Sequence, residues 1–351
     1  TSPGRWVRQY SGPINVIYFG VVKYPHYFPP YAGPNGDQTN GVRINNAIEY
    51  VNQYNLGYLH GNPNEIQPND SPKDMTIYFP SGAYHIDKTI TLHQEINIKG
   101  DKGTVLYPNF GGVGKYLFSL SEGFIEKLNI ENIEINFTQS KAGLGGIHLK
   151  PKNKLNGFGA GPWISTFKSI KMLQPTGHGI FLEGEDSQET ISQWNQYLHF
   201  EDIYIERKNL NESNNALRIT GANVNIQFES CFFQIPYTFN LAPSDLGANI
   251  FISSSGIGPH IKPCQISFII SASGGGFKQG VYNSFKIENS ENITIENCWF
   301  EDVEVAIDVN NSKAINILNS RFANAAGLGG ENLPVSGANG SCIFSRNSHI
   351  T

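Results

Sequence analysis

The chain has 351 residues, a formal net charge of -5, 37 glycines and only 16% charged residues, a composition typical of short strands and many turns. The excess of acidic groups leaves no broad basic surface for phosphates, so we expect no nucleic-acid partner. No run approaches the roughly 18 apolar residues that a membrane span needs, so we expect no membrane insertion.

The N-terminal region, residues 1–74, is predicted to be a lead-in segment that carries a capping helix. Thr1–Gly4 contain neither an initiator methionine nor the start of a signal peptide, so we expect that an upstream part of the native chain has been removed. Apolar residues recur at helical spacing between Val42 and Tyr54, which predicts a helix. The first strand is predicted at Met75–Phe79.

Residues 75–351 carry a short, irregular repeat of the type apolar-x-polar-apolar-x-apolar. Its copies begin at Ile130, Phe167, Phe200, Phe228, Ile295 and, loosely, Ile317. The small polar residues at its third position are Asn132, Ser169, Asp202, Ser230, Asn297 and Asn319. Their spacings are 37, 33, 28, 67 and 22 residues, and 67 is close to two repeats, with the skipped copy near Ile266–Phe268. A repeat of variable length predicts a solenoid whose loops differ.

The repeat has a simple geometric interpretation, because side chains alternate along a strand. Two strands meet at a tight turn, the apolar residues point inward, and the small polar residues form a ladder at roughly 4.8 Å per coil. A third strand per coil is predicted at Ile147–Leu149, Ile180–Leu182, Leu217–Ile219, Ile250–Ile252, Phe285–Ile287 and Ile307–Val309. The sequence therefore predicts an all-β fold, a right-handed parallel β-helix with three strands per coil and an N-terminal capping helix.

The four cysteines lack the paired spacing of metal ligands, and we interpret them as reduced core residues. They are Cys231, Cys264, Cys298 and Cys342. No cluster of metal-ligating residues stands out, so we predict neither a metal nor a cofactor.

Three N-terminal segments, Trp6–Gly20, Gly36–Asp37 and Ile77–Tyr84, resemble the head of a bacteriophage tailspike of the pectate-lyase-like β-helix type. Gln38–Asn40 stand where that family usually has a glycine and two acidic residues. The resemblance implies a homotrimer in the phage tail, joined to other tail proteins through an upstream region. It also implies an extracellular depolymerase that binds and cleaves bacterial capsular or O-antigen polysaccharide.

The outward surface of the third strands and the loops beside it are the predicted site. The predicted outward row is His148, Phe181, Arg218, Phe251, Lys286 and Asp308. Glycoside hydrolysis needs a carboxylic acid that protonates the leaving oxygen and a carboxylate that acts as nucleophile or activates water. Glu183, Glu185 and Asp186 offer such a cluster, and Glu206 belongs to a second acidic group. His178 is a candidate proton shuttle or substrate contact. Solvated loop charges, or an ion pair of Glu183 with a neighbouring cation, are the structural alternatives.

Substrate contacts are predicted from cations and aromatic rings on this face and in its loops. The candidates are Lys150, Phe181 and Arg218 on the face, and Trp163, Trp194, Tyr237 and Asp245 in the loops. Gly177–Glu183 and Leu217–Ile219 also resemble two elements of polygalacturonase-type glycosidases, although the aspartates that those enzymes carry on preceding coils are missing here. Tyr204, Phe232 and Trp299 form a separate outward stripe, which is either a sugar-stacking platform or, as we favour, a contact between subunits.

Two other functions remain open at this point. A polysaccharide lyase would eliminate beside an acidic sugar, with His178, Lys150 or Arg218 neutralising the acid group. A receptor-binding spike or an adhesin without catalytic activity would use the same solenoid.

Overall fold

The structure is a computed structural model that describes residues 12–23, 39–59, 76–93, 96–120, 125–151, 162–184, 194–207, 214–235, 248–253, 264–275, 283–301, 305–323 and 343–351. Helix α1 spans Asn40–Leu59, which is longer at both ends than the predicted helix. No helix among these residues has both the length and the apolar character that a membrane crossing requires. Short 3-10 turns occur at Val16–Phe19 and Phe137–Gln139.

Most strands belong to one sheet that wraps around two sides of the molecule. Its members are β1 (Ile14–Asn15), β2 (Thr76–Phe79), β3 (Gly82–Ile86), β5 (Asn97–Gly100), β6 (Thr104–Pro108), β8 (Ile125–Glu126), β9 (Asn129–Asn136), β11 (Pro162–Leu173), β13 (Asn195–Glu206), β15 (Asn223–Glu229), β16 (Phe232–Ile235), β18 (Cys264–Ile269), β19 (Ala272–Gly275), β21 (Glu291–Glu296), β22 (Trp299–Glu301), β24 (Lys313–Leu318) and β25 (Arg321–Ala323). It includes β1, which pairs in parallel with β2, so the N-terminal segment contributes a strand.

The third strands form a sheet of their own, which we call the third-strand face. It comprises β4 (Ile90–Leu92), β7 (Lys115–Leu120), β10 (Leu144–Leu149), β12 (Ile180–Glu183), β14 (Leu217–Thr220), β17 (Ile250–Ser253), β20 (Asn283–Glu288), β23 (Val305–Asn310) and β26 (Ile343–Arg346). Neighbouring strands are parallel and come from successive coils. The fold is therefore a right-handed parallel β-helix, as predicted.

The predicted ladder residues all adopt the left-handed backbone conformation that turns the strand. Their φ angles are 57° at Asn132, 51° at Ser169, 54° at Asp202, 53° at Ser230, 52° at Asn297 and 49° at Asn319. Ser169 Oγ donates to Asp202 Oδ2 at 2.9 Å, which links two neighbouring coils along the axis. In the coil that lacks a clear copy of the repeat, Ile270 takes the same place with φ 49°.

Replacing Ile270 with asparagine is expected to raise the free energy of unfolding by about 1 kcal/mol, because a β-branched residue is strained at positive φ. Ile270 is 59% exposed, so little burial is lost. Denaturant unfolding measures the change. The control is Val113→Asn, since Val113 is 98% exposed and is not among the residues with positive φ. An equal gain in both variants would contradict a backbone origin.

The core is a tube of aliphatic and aromatic side chains stacked coil upon coil. Phe167, Phe200, Phe228 and Phe268 occupy one inward column, and each is fully buried. Their successive ring centroids are 4.6, 4.7 and 4.9 Å apart and nearly parallel. Cys231 and Cys298 are buried and unpaired, as predicted. The side chains of Cys264 and Cys342 lie outside the described residues.

Helix α1 covers the N-terminal end of the tube. Ile44, Ala47 and Ile48 are fully buried on its inner side. Asn45 Nδ2 donates to Thr89 O at 2.9 Å, and Asn45 Oδ1 accepts from Thr91 N at 2.8 Å. The Asn45 side chain thus makes the hydrogen bonds that a neighbouring strand would otherwise make along β4. The predicted capping role of the helix is confirmed.

Candidate functional site

The third-strand face places the predicted outward side chains in one row. Register pairs join His148 to Phe181, Phe181 to Arg218, Arg218 to Phe251, Phe251 to Lys286 and Lys286 to Asp308. Inward residues on either side of these positions are buried, so strand alternation directs the row outward; Asp308, at its end, is covered by an ion pair with Arg346 and is only 6% exposed. The row runs along the helix axis with one side chain per coil.

Aromatic rings line the N-terminal half of this row. The ring of Tyr116, a residue on β7, stacks on His148 with centroids 4.6 Å apart, and His148 stacks on Phe181 at 5.0 Å. Tyr116 is only 6% exposed, so its ring is buried against His148 and stabilises this end of the row. The result is a rigid surface of flat rings, which suits stacking against sugar rings.

Cations alternate with rings in the C-terminal half. The Arg218 guanidinium lies 5.6 Å from the Phe181 centroid and 5.0 Å from the Phe251 centroid. The Lys286 ammonium lies 5.8 Å from Phe251 and 3.0 Å from Glu288 Oε1. Within the described ranges no carboxylate pairs with Arg218, which lies between the two rings.

Glu183, at the end of β12, is held by His148 of β10 and by Lys150, which directly follows that strand. His148 Nε2 lies 2.8 Å from Glu183 Oε2, and Lys150 Nζ donates to the other carboxylate oxygen. The hydrogen bond from His148, followed by that from Lys150, lowers the pKa of Glu183 to about 2 against the opposing effect of burial. Glu183 is therefore an ionised carboxylate at neutral pH and suits a nucleophile or base, not a proton donor.

His178 precedes β12 and is part-buried beside Phe181, with ring centroids 5.4 Å apart. Its Nδ1 accepts the backbone N–H of Asn215 at 3.0 Å, so the ring proton sits on Nε2. Burial, with a smaller contribution from the charge of Arg218, lowers the pKa of His178 to about 3. A neutral His178 can donate a hydrogen bond but cannot neutralise an acid group.

The low pKa of His178 predicts a loss of stability in mild acid. Between about 6.5 and about 3 the unfolded chain binds a proton that the folded chain does not, so stability falls as the pH falls. At pH 5 this difference in proton binding lowers the free energy of unfolding by about 2 kcal/mol relative to neutral pH. His178→Asn keeps an acceptor for Asn215 and should flatten this part of a stability profile measured by thermal unfolding. Parallel profiles of the two proteins would refute the assignment.

Comparison with known proteins identifies the family. The family described as rhamnogalacturonase A/epimerase, pectate lyase-like, matches residues 32–232, which is more than half of the chain. The chain belongs to this family. The matched region contains Glu183 and its partners His148 and Lys150. No curated protein sequence matches the chain.

Solved structures similar to this pectate lyase-like chain include two phage tailspikes. Tailspike protein 2 of bacteriophage CBA120 has a TM-score of 0.57, 9% identity, and coverage of 98% of this chain and 43% of that one. The gp42 tailspike of Acinetobacter phage vb_AbaP_AS12 has a TM-score of 0.54, 12% identity, and coverage of 94% and 48%. ORF18 of Geobacillus virus E2 has a TM-score of 0.51, 16% identity, and coverage of 96% and 60%.

These three structures show that the chain shares their fold. The chain spans 60% and 43% of the lengths of ORF18 and tailspike protein 2. In the part of this pectate lyase-like chain that the structure describes, no three His, Cys, Asp or Glu side chains are grouped as metal ligands.

Several predicted site residues lie elsewhere. Glu206 is on β13, on the other sheet, where the Tyr204 hydroxyl donates to it at 3.1 Å. Trp163 lies within strand β11, so its predicted loop position is wrong, and Trp194 is a half-buried residue that directly precedes β13. Four further candidates lie outside the described residues: Glu185, Asp186, Tyr237 and Asp245.

Two residues of this pectate lyase-like site escaped the sequence prediction. His148 was expected in the outward row but not as a partner of Glu183, and Tyr116 was not expected at all. The signal for Tyr116 is the strand Lys115–Leu120, which is an earlier copy of the third strand. Extending that repeat by one coil toward the N-terminus finds this strand, although Ser119 is in register with His148 and Tyr116 is in register with Gly145.

Proposed function

We propose that the chain is a phage tailspike depolymerase that binds and hydrolyses a host capsular or O-antigen polysaccharide. The observation that carries the proposal is the row of rings and cations on the third-strand face, beside the ionised Glu183. A straight row with one contact per coil fits an extended polymer better than a compact metabolite. Rings stack on sugars, and cations bind acidic substituents or hydroxyl groups.

In this proposal Glu183 is the carboxylate that attacks the anomeric carbon or activates water. His148 and Lys150 orient it and keep it ionised. The acid that protonates the leaving oxygen is Glu185 or Asp186, which follow β12 in the sequence. His178 donates a hydrogen bond from Nε2 to a substrate oxygen.

A second candidate function is elimination by a polysaccharide lyase. Arg218 favours it, because an arginine placed between two rings is suited to bind and neutralise the acid group of a uronic sugar. Glu183 would then be the base that removes the adjacent proton. This candidate needs no second carboxyl group.

We further propose that the active form is a homotrimer in the phage tail. The outward stripe of Tyr204, Phe232 and Trp299 supports this, since Phe232 is 37% and Trp299 is 44% exposed. A closed cyclic assembly would bury this stripe in every copy. Light scattering on the purified protein tests it, and a monomer that cleaves polymer would argue against it. Attachment to other tail proteins belongs to the same proposal.

Incubation with purified surface polysaccharides from candidate hosts tests the function. Hydrolysis is expected to shorten the polymer on a sizing column without a new ultraviolet absorbance. Shortening accompanied by such absorbance would instead establish elimination, because elimination creates an unsaturated sugar. Binding to polymer of unchanged length would support the non-catalytic spike or adhesin.

A further inference from the structure

A cavity of about 620 Å³ lies at the N-terminal end of the third-strand face, outside the cluster around Glu183. Helix α1 forms one wall, and strands β4 and β7 form the floor. Its lining includes Asn46, Glu49, Thr91, His93, Lys115 and Ser119. The volume falls within the range of roughly 300–1,000 Å³ that is typical of small-ligand sites.

The cavity is continuous with the proposed cleavage site. Thr91 pairs in register with Ser119, and Ser119 with His148, so the floor of the cavity is the same outward row two coils earlier. Tyr116 joins the two regions, because it lines the cavity and its ring stacks on His148 at 4.6 Å. Two coils correspond to ~10 Å, which is about the length of a disaccharide.

The wall and the lining decide which ligand fits. Asn45 fixes α1 against β4 through hydrogen bonds to Thr89 and Thr91, so the groove is closed at this end by a firmly held element. The lining combines hydroxyl, amide, imidazole, carboxylate and ammonium groups with the ring of Phe110. Many short polar groups of both hydrogen-bonding kinds, beside one apolar ring, suit a carbohydrate.

We infer that this cavity binds two sugar units of the same polysaccharide, next to the units that are cleaved beside Glu183. The inference rests on the proposed function. The groove then extends over five coils, from Thr91 to Arg218, and the helix that caps the fold also ends the binding groove.

Filling the cavity tests the inference. Ser119 is an outward residue on β7, and Ser119→Trp would occupy the space of a sugar ring. In a Glu183→Gln background that cannot cleave, calorimetry measures the affinity for host oligosaccharides of increasing length. The Glu183→Gln protein is expected to gain about tenfold in affinity when the ligand becomes long enough to reach the cavity. With Ser119→Trp added, this gain should disappear while affinity for the shortest bound ligand stays unchanged.

The controls separate the possible failures. Thr294→Trp adds the same ring at an outward strand position of the other sheet and should keep the tenfold gain. If Ser119→Trp does not fold, as judged by circular dichroism, Thr91→Trp blocks the same cavity from the neighbouring coil. A gain that persists in both blocked variants would overturn the inference and leave the proposed function standing. If the wild-type protein neither binds nor cleaves the polymer, the proposed function and the inference about the cavity are both refuted.

Discussion

Glu183→Gln is expected to lower the rate of polysaccharide cleavage by about 10²–10⁴-fold or more, because glutamine cannot act as a base or nucleophile. Glutamine keeps the shape of the side chain and an oxygen that accepts from Lys150, so the fold and polymer binding should survive. The loss should therefore appear in kcat, with KM little changed. The release of reducing ends measures it for hydrolysis, and ultraviolet absorbance measures it for elimination.

A matched control exists on the same face. Glu288 occupies the column of Glu183 three coils further on and also forms an ion pair, with Lys286 at 3.0 Å. Glu288→Gln removes a carboxylate and an ion pair of the same kind at a distance of ~14 Å. It should retain activity. Comparable losses in both variants would mean that the face needs its charges only for structure or binding, and Glu183 would lose its assigned role.

Phe228→Ala is expected to reduce the free energy of unfolding by about 3–5 kcal/mol, the usual cost of removing a buried phenylalanine. Phe228 is fully buried in the core, between Phe200 at 4.7 Å and Phe268 at 4.9 Å. Its removal leaves a cavity and breaks the stack in the middle. Since each coil is stabilised chiefly by its neighbours, the loss cannot be confined to one rung. Denaturant unfolding measures it.

Phe232→Ala provides the comparison within the same coil. Phe232 points outward, is 37% exposed and contacts Tyr204 with ring centroids 5.5 Å apart. Its truncation should cost less than about 1 kcal/mol in the isolated subunit. A cost as large as that of Phe228→Ala would show that the outward stripe is part of the folding core.

The sequence predicted the coils well because their signal is local. A small polar residue such as Asn132 or Asp202 marks the turn, and apolar residues on both sides mark the tube. Alternation then fixes which side chains face outward, so the row from His148 to Lys286 followed from the strands alone. Ile270 shows the limit of this reasoning, since its position is dictated by the neighbouring coils and not by its own preference for positive φ.

The details of the site could be predicted only in part. An ion pair of Glu183 with a neighbouring cation was foreseeable, because Glu183 ends β12 and Lys150 directly follows β10 on the preceding coil. The contact with His148 depends on side-chain rotamers, and the tautomer of His178 depends on one backbone N–H from Asn215. Such contacts join residues 35 and 37 positions apart, and no periodic pattern encodes them.

The two hydrogen bonds of Asn45 to β4 have a consequence for how the protein behaves while it is being made. A bare parallel edge with a regular 4.8 Å repeat is a template on which a second chain can add strands and start a fibril. Here a helix occupies that edge, and a helix cannot be extended by an incoming strand. Because the helix precedes the coils in the chain, it emerges from the ribosome first and is present before the vulnerable edge is complete.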